Sequence, residues 1–317
     1  MSTSTHDPQA LLRRLEWTVL KRLDGLLHGD YRSLFRGFGL DLADLREYQF
    51  NDDVRHIDWN VTARMQTPYV REFHEDREVC AWFIVDLSAS VAFGSGKTGK
   101  RDIATDFVAI MARLLARHGN AVGLISHDGT ANTLLPPRTG RRHLLQLISQ
   151  LQKAQGERAG GQMTDLSVPL QAGWNAISRR SVVFVVSDFF SAPGWAEPLA
   201  RLARRHDVVA VRVHDPLESS LPDLGLVTIQ DAETGEQLLL DTHDRKIRDR
   251  FAQLASKREE TLRRLLGQAG VDAMEVSTQD DLAETLLRFS ALRQLRSRIA
   301  AGSPIGAHLI VRSGLAA

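Results

Sequence analysis

The period of the apolar positions changes along the chain. Over residues 8–28, Leu11, Leu12, Leu15, Val19 and Leu20 recur at helical spacing. Residues 37–77 hold Gly37, Gly39, Asn51 and Pro68 among short, partly alternating apolar stretches, which predicts β-hairpins and loops. From residue 78 the pattern becomes strand, helix, strand. VCAWFIVD (79–86) is an apolar strand that ends on Asp86. A helix is predicted over 101–118, with Ile103, Phe107, Ile110, Met111, Leu114 and Leu115 on one face and Gly119 at its C-terminal cap. AVGLIS (121–126) is a second strand, and the Asp128-Gly129 turn signal returns ANTLL (131–135) antiparallel beside it. Helices near 140–153 and 165–177 flank the Gly-rich stretch QGERAGGQM. SVVFVVSD (181–188) is again apolar and again ends on an acid. A helix over 195–206, a strand over 207–213 and a hairpin over 225–241 come next. A long helix over 244–268 should turn Ile247, Phe251, Leu254, Leu262 and Leu265 inward, before a closing strand at 271–276 and a helix from about 280.

This alternation predicts an α/β fold: a doubly wound, mostly parallel sheet covered on both faces, with an N-terminal helix plus β-hairpin extension. The expected division is residues 1–76 for the extension, 77–296 for the α/β domain and 297–317 for a C-terminal tail. Ligands of such sheets sit outside the carboxyl ends of the strands, where Asp86 and Asp188 fall.

Composition narrows the function classes. Lys+Arg 40 against Asp+Glu 39 leaves a net charge of +1, so no overall field draws the chain to nucleic acid or an anionic membrane. The Arg-rich stretches at 201–207 and 244–250 alternate with acids or apolar residues and carry no aromatic platform, so they read as solvated helix faces. Cys80 is the single cysteine, which excludes an intramolecular disulfide and a Cys-based zinc site and suits a reducing compartment. MSTSTHDPQALLRRLEW lacks the basic-then-apolar build of a signal peptide, and no run of about 18 apolar residues suggests a membrane span. The expectation is a cytoplasmic protein.

Two binding devices overlap in DLSASVAFGSGKT (86–98). Gly96-Lys97-Thr98 matches the tail of a phosphate loop, but the glycine needed five positions before Gly96 is Val91, and Lys97 lies eleven residues past the strand end. A β-branched residue fits poorly where backbone must wrap a phosphate. Asp86, Ser88 and Ser90 form D-x-S-x-S, three hard oxygens that one tight loop can aim at a single point, as magnesium prefers. Thr164, after the glycine stretch, and Asp188, at the adjacent strand end, can bring two more. Two carboxylates and three hydroxyls balance a dication and leave a position open for an incoming carboxylate. The plainer alternative is that the serines satisfy backbone N–H groups at a turn and Asp86 caps a helix.

In this pattern the chain resembles von Willebrand factor A domains, whose metal-ion-dependent adhesion site has motif positions matched by Asp86, Ser88, Ser90, Thr164 and Asp188. GFGLDLADLREYQFNDDVRHIDWNVTARMQTPYVREF (37–73) and HDPLESSLPDLG (214–225) are similar to signatures of the family catalogued as domain of unknown function 58, over most of residues 30–295. Asn51, where that family usually has Gly, and Val91-Ala92, where Met is common, depart from it without touching a ligand position. The resemblance implies a von Willebrand factor A-like domain over 77–296, with Mg2+ (or Mn2+ or Ca2+) at the top of the sheet. It also implies a non-enzymatic adaptor that works beside a MoxR-type AAA+ ATPase and grips an acidic residue of that ATPase or of a client.

The enzyme alternative is a metal-assisted phosphoesterase that uses Asp86 and Asp188, which would need a further base or metal. Hydrolase signatures are missing: Ser95 and Ser126 lack G-x-S-x-G, and HEDRE (74–78) lacks the second His of H-E-x-x-H. His127-Asp128 and His214-Asp215 are adjacent pairs that point to opposite faces and read as turn residues. Arg46, Glu47, Asp52, Asp53, Arg55, Asp58 and Arg64 read as ion pairs that pin the extension, in preference to a partner-docking patch, with Trp59 in the core and Tyr48 either core or contact.

Overall fold

A computed structural model describes residues 7–20, 22–23, 44–49, 57, 59–72, 80–153, 163–232 and 234–299. Helix α1 (Pro8–Leu15), capped by Asp7, widens into a π turn at Glu16–Leu20. Strand β1 (Asp44–Glu47) pairs antiparallel with β2 (Tyr69–Glu72). Between them lies a short helix, α2 (Trp59–Met65), where the sequence predicted only hairpins and loops. Trp59 opens this helix and is exposed, not in the core. Asp52, Asp53, Arg55 and Asp58 of the expected ion-pair network lie outside the described residues.

The α/β domain then unrolls as β3 (Cys80–Asp86), α3 (Lys100–Arg117), β4 (Ala121–His127), β5 (Asn132–Arg138), α4 (Arg141–Lys153), α5 (Ser167–Ala176), β6 (Val182–Ser187), α6 (Ala196–Arg205) and β7 (Asp207–His214). The hairpin β8 (Leu226–Gln230) and β9 (Gln237–Asp241) follows, then α7 (Arg245–Ala269), β10 (Asp272–Ser277) and α8 (Leu282–Ile299). The sheet order is β10-β7-β6-β3-β4-β5; every pairing is parallel except that of β5, which carries Pro136 and Pro137 on an edge. This is the doubly wound, mostly parallel α/β sheet.

Alternation along each strand sorts side chains to two cores. Phe83, Val85, Phe184, Val186, Val209 and Val211 face one side, against Phe107 and Leu114 of α3, Leu147 of α4 and Leu286 of α8. Leu12, Leu15, Leu20 and Leu23 of the N-terminal segment join that same cluster, so the helix of the extension packs into the α/β domain. Trp82, Ile84, Val183, Val185 and Ala210 face the other side, against Leu170 of α5, Leu199 of α6 and Leu262 of α7. Trp82 needs Gly123 as its register partner on β4, because a methyl group there would lie 2.7–2.9 Å from the indole ring. Gly123→Ala is therefore expected to destabilise the fold by about 1–3 kcal/mol, read as a lower urea midpoint.

Helix α7 outruns the sheet. Its 25 residues span about 37 Å, against about 20 Å for β10. Its buried residues begin at Ala255, so the first turns rise beyond the carboxyl edge of the strands together with the β8–β9 hairpin. Leu254, expected inward, is exposed because it lies one residue off the inward stripe of Ala255, Glu259, Leu262 and Leu266; Ile247 and Phe251 continue that stripe and are half-buried. Among the described residues no helix is long and apolar enough to cross a membrane.

Candidate metal centre

The winding of the sheet reverses at β3. The chain leaves β3 for β4 on one side, then returns to β6 on the other and continues to β7. Adjacent strands whose connections depart in opposite directions leave a crevice at their carboxyl ends. Asp86 is the last residue of β3 and Asp188 follows β6, so both carboxylates enter that crevice.

Asp86 organises the first loop. Its Oδ1 accepts the Ser88 amide at 3.0 Å and its Oδ2 accepts the Ser187 hydroxyl at 2.8 Å. The tight turn brings Ser88 Oγ and Ser90 Oγ to 3.2 Å of each other. Asp188 Oδ1 accepts the Phe190 amide at 3.0 Å, and Phe189 between them has a left-handed backbone, φ 58°. A bulky residue in that region is strained, and the strain sits beside the candidate site. The Thr164 loop is tied to this one through its carbonyl, which accepts the Ala192 amide at 2.8 Å. A methyl group at Gly129 would lie 3.8 Å from Ser88 Cβ and 4.0 Å from Thr164 Oγ1, so the threonine hydroxyl and Ser88 border the same backbone. Asp86, Ser88, Ser90, Thr164 and Asp188 are all buried.

Residues 44–261 match the family model described as Protein of unknown function DUF58. The chain belongs to this family. An uncharacterized protein of Mycobacterium tuberculosis (strain ATCC 25618 / H37Rv) is 38% identical over 293 residues, 91% of each chain. Among solved structures, the conserved hypothetical protein BatB from Bacteroides thetaiotaomicron aligns with 68% of this chain and 98% of its own, at 12% identity and a TM-score of 0.44. A von Willebrand factor type A structure from Catenulispora acidiphila aligns with 68% of this chain and 42% of its own, at 11% identity and a TM-score of 0.35. The DUF58 match spans every residue of the candidate site but neither α1 nor β10.

Within this DUF58 chain the two carboxylates stand in unlike surroundings. Burial, then the nearby charge of Asp188, pushes the Asp86 carboxyl up to about 6, against the pull of its Ser88 and Ser187 hydrogen bonds. Among the described residues no cation pairs with Asp86; the Arg101 guanidinium nearby donates instead to the Leu87 carbonyl at 2.8 Å. Asp188, by contrast, is paired. Lys100 Nζ lies 2.6 Å from Asp188 Oδ2 and 2.5 Å from Glu218 Oε1, with the lysine side chain 1% exposed. Burial opposes the lysine's charge, but Asp188 and Glu218 hold its pKa above the ordinary value.

The donor set suits a hard divalent cation. Every donor is oxygen, and Asp86 is a buried carboxylate that forms no ion pair among the described residues. Among the described residues no three His, Cys, Asp or Glu side chains gather, so hydroxyls would complete any coordination.

Sequence reasoning missed Lys100, Ser187, Gly129 and Glu218. One signal was present for the lysine: position 100 continues the apolar stripe of Ile103, Ala104 and Phe107 at spacings of three, four and seven. Gly96 and Lys97 form no phosphate cradle and are exposed. Their loop is fastened by Ser95, whose amide and hydroxyl both donate to Asp215 at 2.9 Å, and a carboxylate there repels phosphate. Asp128 accepts the Thr130 and Ala131 amides within its turn, and Asp215 accepts the Leu217 amide as a cap. His127 Nδ1 lies 2.9 Å from Asn132 Oδ1, across the hairpin.

Proposed function

We propose that this chain is a non-enzymatic, metal-dependent protein-interaction module, an adaptor that works with a MoxR-type AAA+ ATPase in assembling or remodelling protein complexes. The observation that carries this reading is Asp86: a buried carboxylate at the switch point of the sheet, with no ion pair among the described residues, that accepts the Ser187 hydroxyl and anchors the loop where the Ser88 and Ser90 hydroxyls meet. Asp86, Ser88 and Ser90 would hold Mg2+, or Mn2+ or Ca2+ by the same oxygen chemistry, with Thr164 and Asp188 completing the set. The ion supplies an open position for a carboxylate of the ATPase or a client. Exposed Phe93 and Met163 border the donors and give a protein partner apolar surface to cover. ATP hydrolysis belongs to the partner, consistent with a Gly96-Lys97-Thr98 loop turned to structural use. The cytoplasm is the proposed compartment.

Capture of the AAA+ partner by immobilised protein, with Mg2+ and with EDTA, tests the reading. Asp86→Ala and Ser88→Ala are each expected to lower capture at least about tenfold, equivalent to 1.4 kcal/mol. Equal capture by wild type and both variants would sink the metal grip. Phosphatase turnover by wild type that Asp86→Ala abolishes would favour the phosphoesterase instead.

A further inference from the structure

Beside the donors lies a buried cation that the metal reading does not use. Lys100 is the first residue of α3, and its ammonium reaches inward between two aromatic rings, 5.9 Å from the Phe93 centroid and 5.3 Å from that of Phe190. It contacts Asp188 at 2.6 Å and Glu218 at 2.5 Å, and water has almost no access to it. The other oxygen of Asp188 accepts the Phe190 amide. Both oxygens of Asp188 are thus engaged, one of them by a full positive charge. Asp86, which shares the crevice, has only neutral hydrogen-bond donors.

We propose that Lys100 is the resident counter-cation of the site: it competes with the ion for Asp188 and sets how weakly a divalent cation binds there. The inference rests on the metal reading above and assigns its affinity control to one residue. A lysine ammonium and a divalent ion compete for the same aspartate, and in a buried crevice their repulsion is poorly screened. Glu218 fixes the competition in place. It draws the ammonium from the other side, and its own position is set by the capping turn at Pro216–Glu218, where the Asp215 amide donates back to Glu218 Oε2 at 3.3 Å. A site tuned this way binds the ion loosely alone and more tightly once a partner's carboxylate arrives, because that carboxylate restores the negative charge Lys100 cancels.

Without the ammonium, Asp188 becomes available to the ion, and in its absence the Asp188 and Glu218 carboxylates that shared Lys100 face each other uncompensated. Lys100→Met keeps the apolar stem and removes the charge. Isothermal titration of the full chain with Mn2+ is expected to show at least tenfold tighter binding by Lys100→Met than by wild type. Its thermal midpoint should fall in EDTA and recover in Mn2+, while the wild-type midpoint moves little. A lysine with a purely structural role would not give tighter metal binding when removed. Glu218→Gln, which leaves the ammonium to Asp188 alone, is expected to weaken Mn2+ binding at least threefold, and it carries the test should Lys100→Met fail to fold. Unchanged or weaker binding by a folded Lys100→Met, or unchanged binding by Glu218→Gln, overturns the proposal. If wild type binds Mn2+, Asp86→Ala abolishes it and Lys100→Met leaves it unaltered, the role of Lys100 fails and the metal reading stands. If neither wild type nor any variant binds Mn2+, both fail.

Discussion

In metal-free protein, Asp188→Ala is expected to lower the unfolding free energy by about 3–5 kcal/mol, while Asp86→Asn leaves it unchanged or raises it. Two aspartates of one crevice thus carry opposite signs. Truncating Asp188 strands the Lys100 ammonium, 1% exposed, with Glu218 as its one remaining carboxylate contact, and removes the acceptor of the Phe190 amide. Asp86 has the reverse problem: its charge is buried without an ion pair among the described residues, and burial drives its carboxyl up to about 6. An asparagine there keeps an acceptor for the Ser88 amide and can reverse its hydrogen bond with Ser187, yet carries no charge to desolvate. Urea unfolding of both variants in EDTA, followed by tryptophan fluorescence, gives the comparison. Equal losses for the two would mean that the lysine does not distinguish them.

Much of the fold was legible because burial on both faces leaves a plain mark. CAWFIV and VVFVV are unbroken apolar runs, and the turn at Asp128-Gly129 returns β5 as its chemistry predicts. The placement of Asp86 and Asp188 was legible for a related reason: an acid that ends an apolar strand must lie at the sheet's rim. What escaped depended on lengths and distant partners. Periodicity put Leu254 inward, but the inward stripe of α7 runs one residue to its side, through Ala255 and Glu259, and an alanine and a glutamate do not mark it. Residue type put Trp59 in the core, whereas its own short helix leaves it exposed. Lys100 escaped because a lysine on a helix is ordinarily solvated, and its partners lie 88 and 118 residues away along the chain. Only the tertiary fold brings the two acids to it.

Glu259→Ala is expected to destabilise the protein by about 3–5 kcal/mol, against about 1–2 kcal/mol for Glu259→Gln. Arg212 of β7 is buried, and both of its terminal nitrogens donate to the Glu259 carboxylate on the inner face of α7. Its other acidic neighbour, Glu275 of β10, is at 3.5 Å. Truncation leaves a guanidinium inside the protein with that single long contact; glutamine keeps an acceptor where the carboxylate was. The bond also lies where α7 departs from the sheet. The next residue toward its N-terminus, Arg258, places its guanidinium 4.0 Å over the Phe190 ring and donates to the Glu218 carbonyl at 3.4 Å. Phe190 and Glu218 are two of the four residues that surround the Lys100 ammonium. Loosening Glu259 should therefore reach the candidate metal centre as well as global stability. Amide hydrogen exchange at Phe190 and Leu217 is expected to quicken in Glu259→Ala under native conditions, more than at Leu124 or Ile125 in β4. A loss below about 1 kcal/mol with unchanged exchange would show that Arg212 finds water when its partner is gone. Paired replacement by apolar residues, Arg212→Met with Glu259→Leu, removes both charges and is expected to recover most of the loss, since the cost of the single truncation lies in the charge it leaves behind.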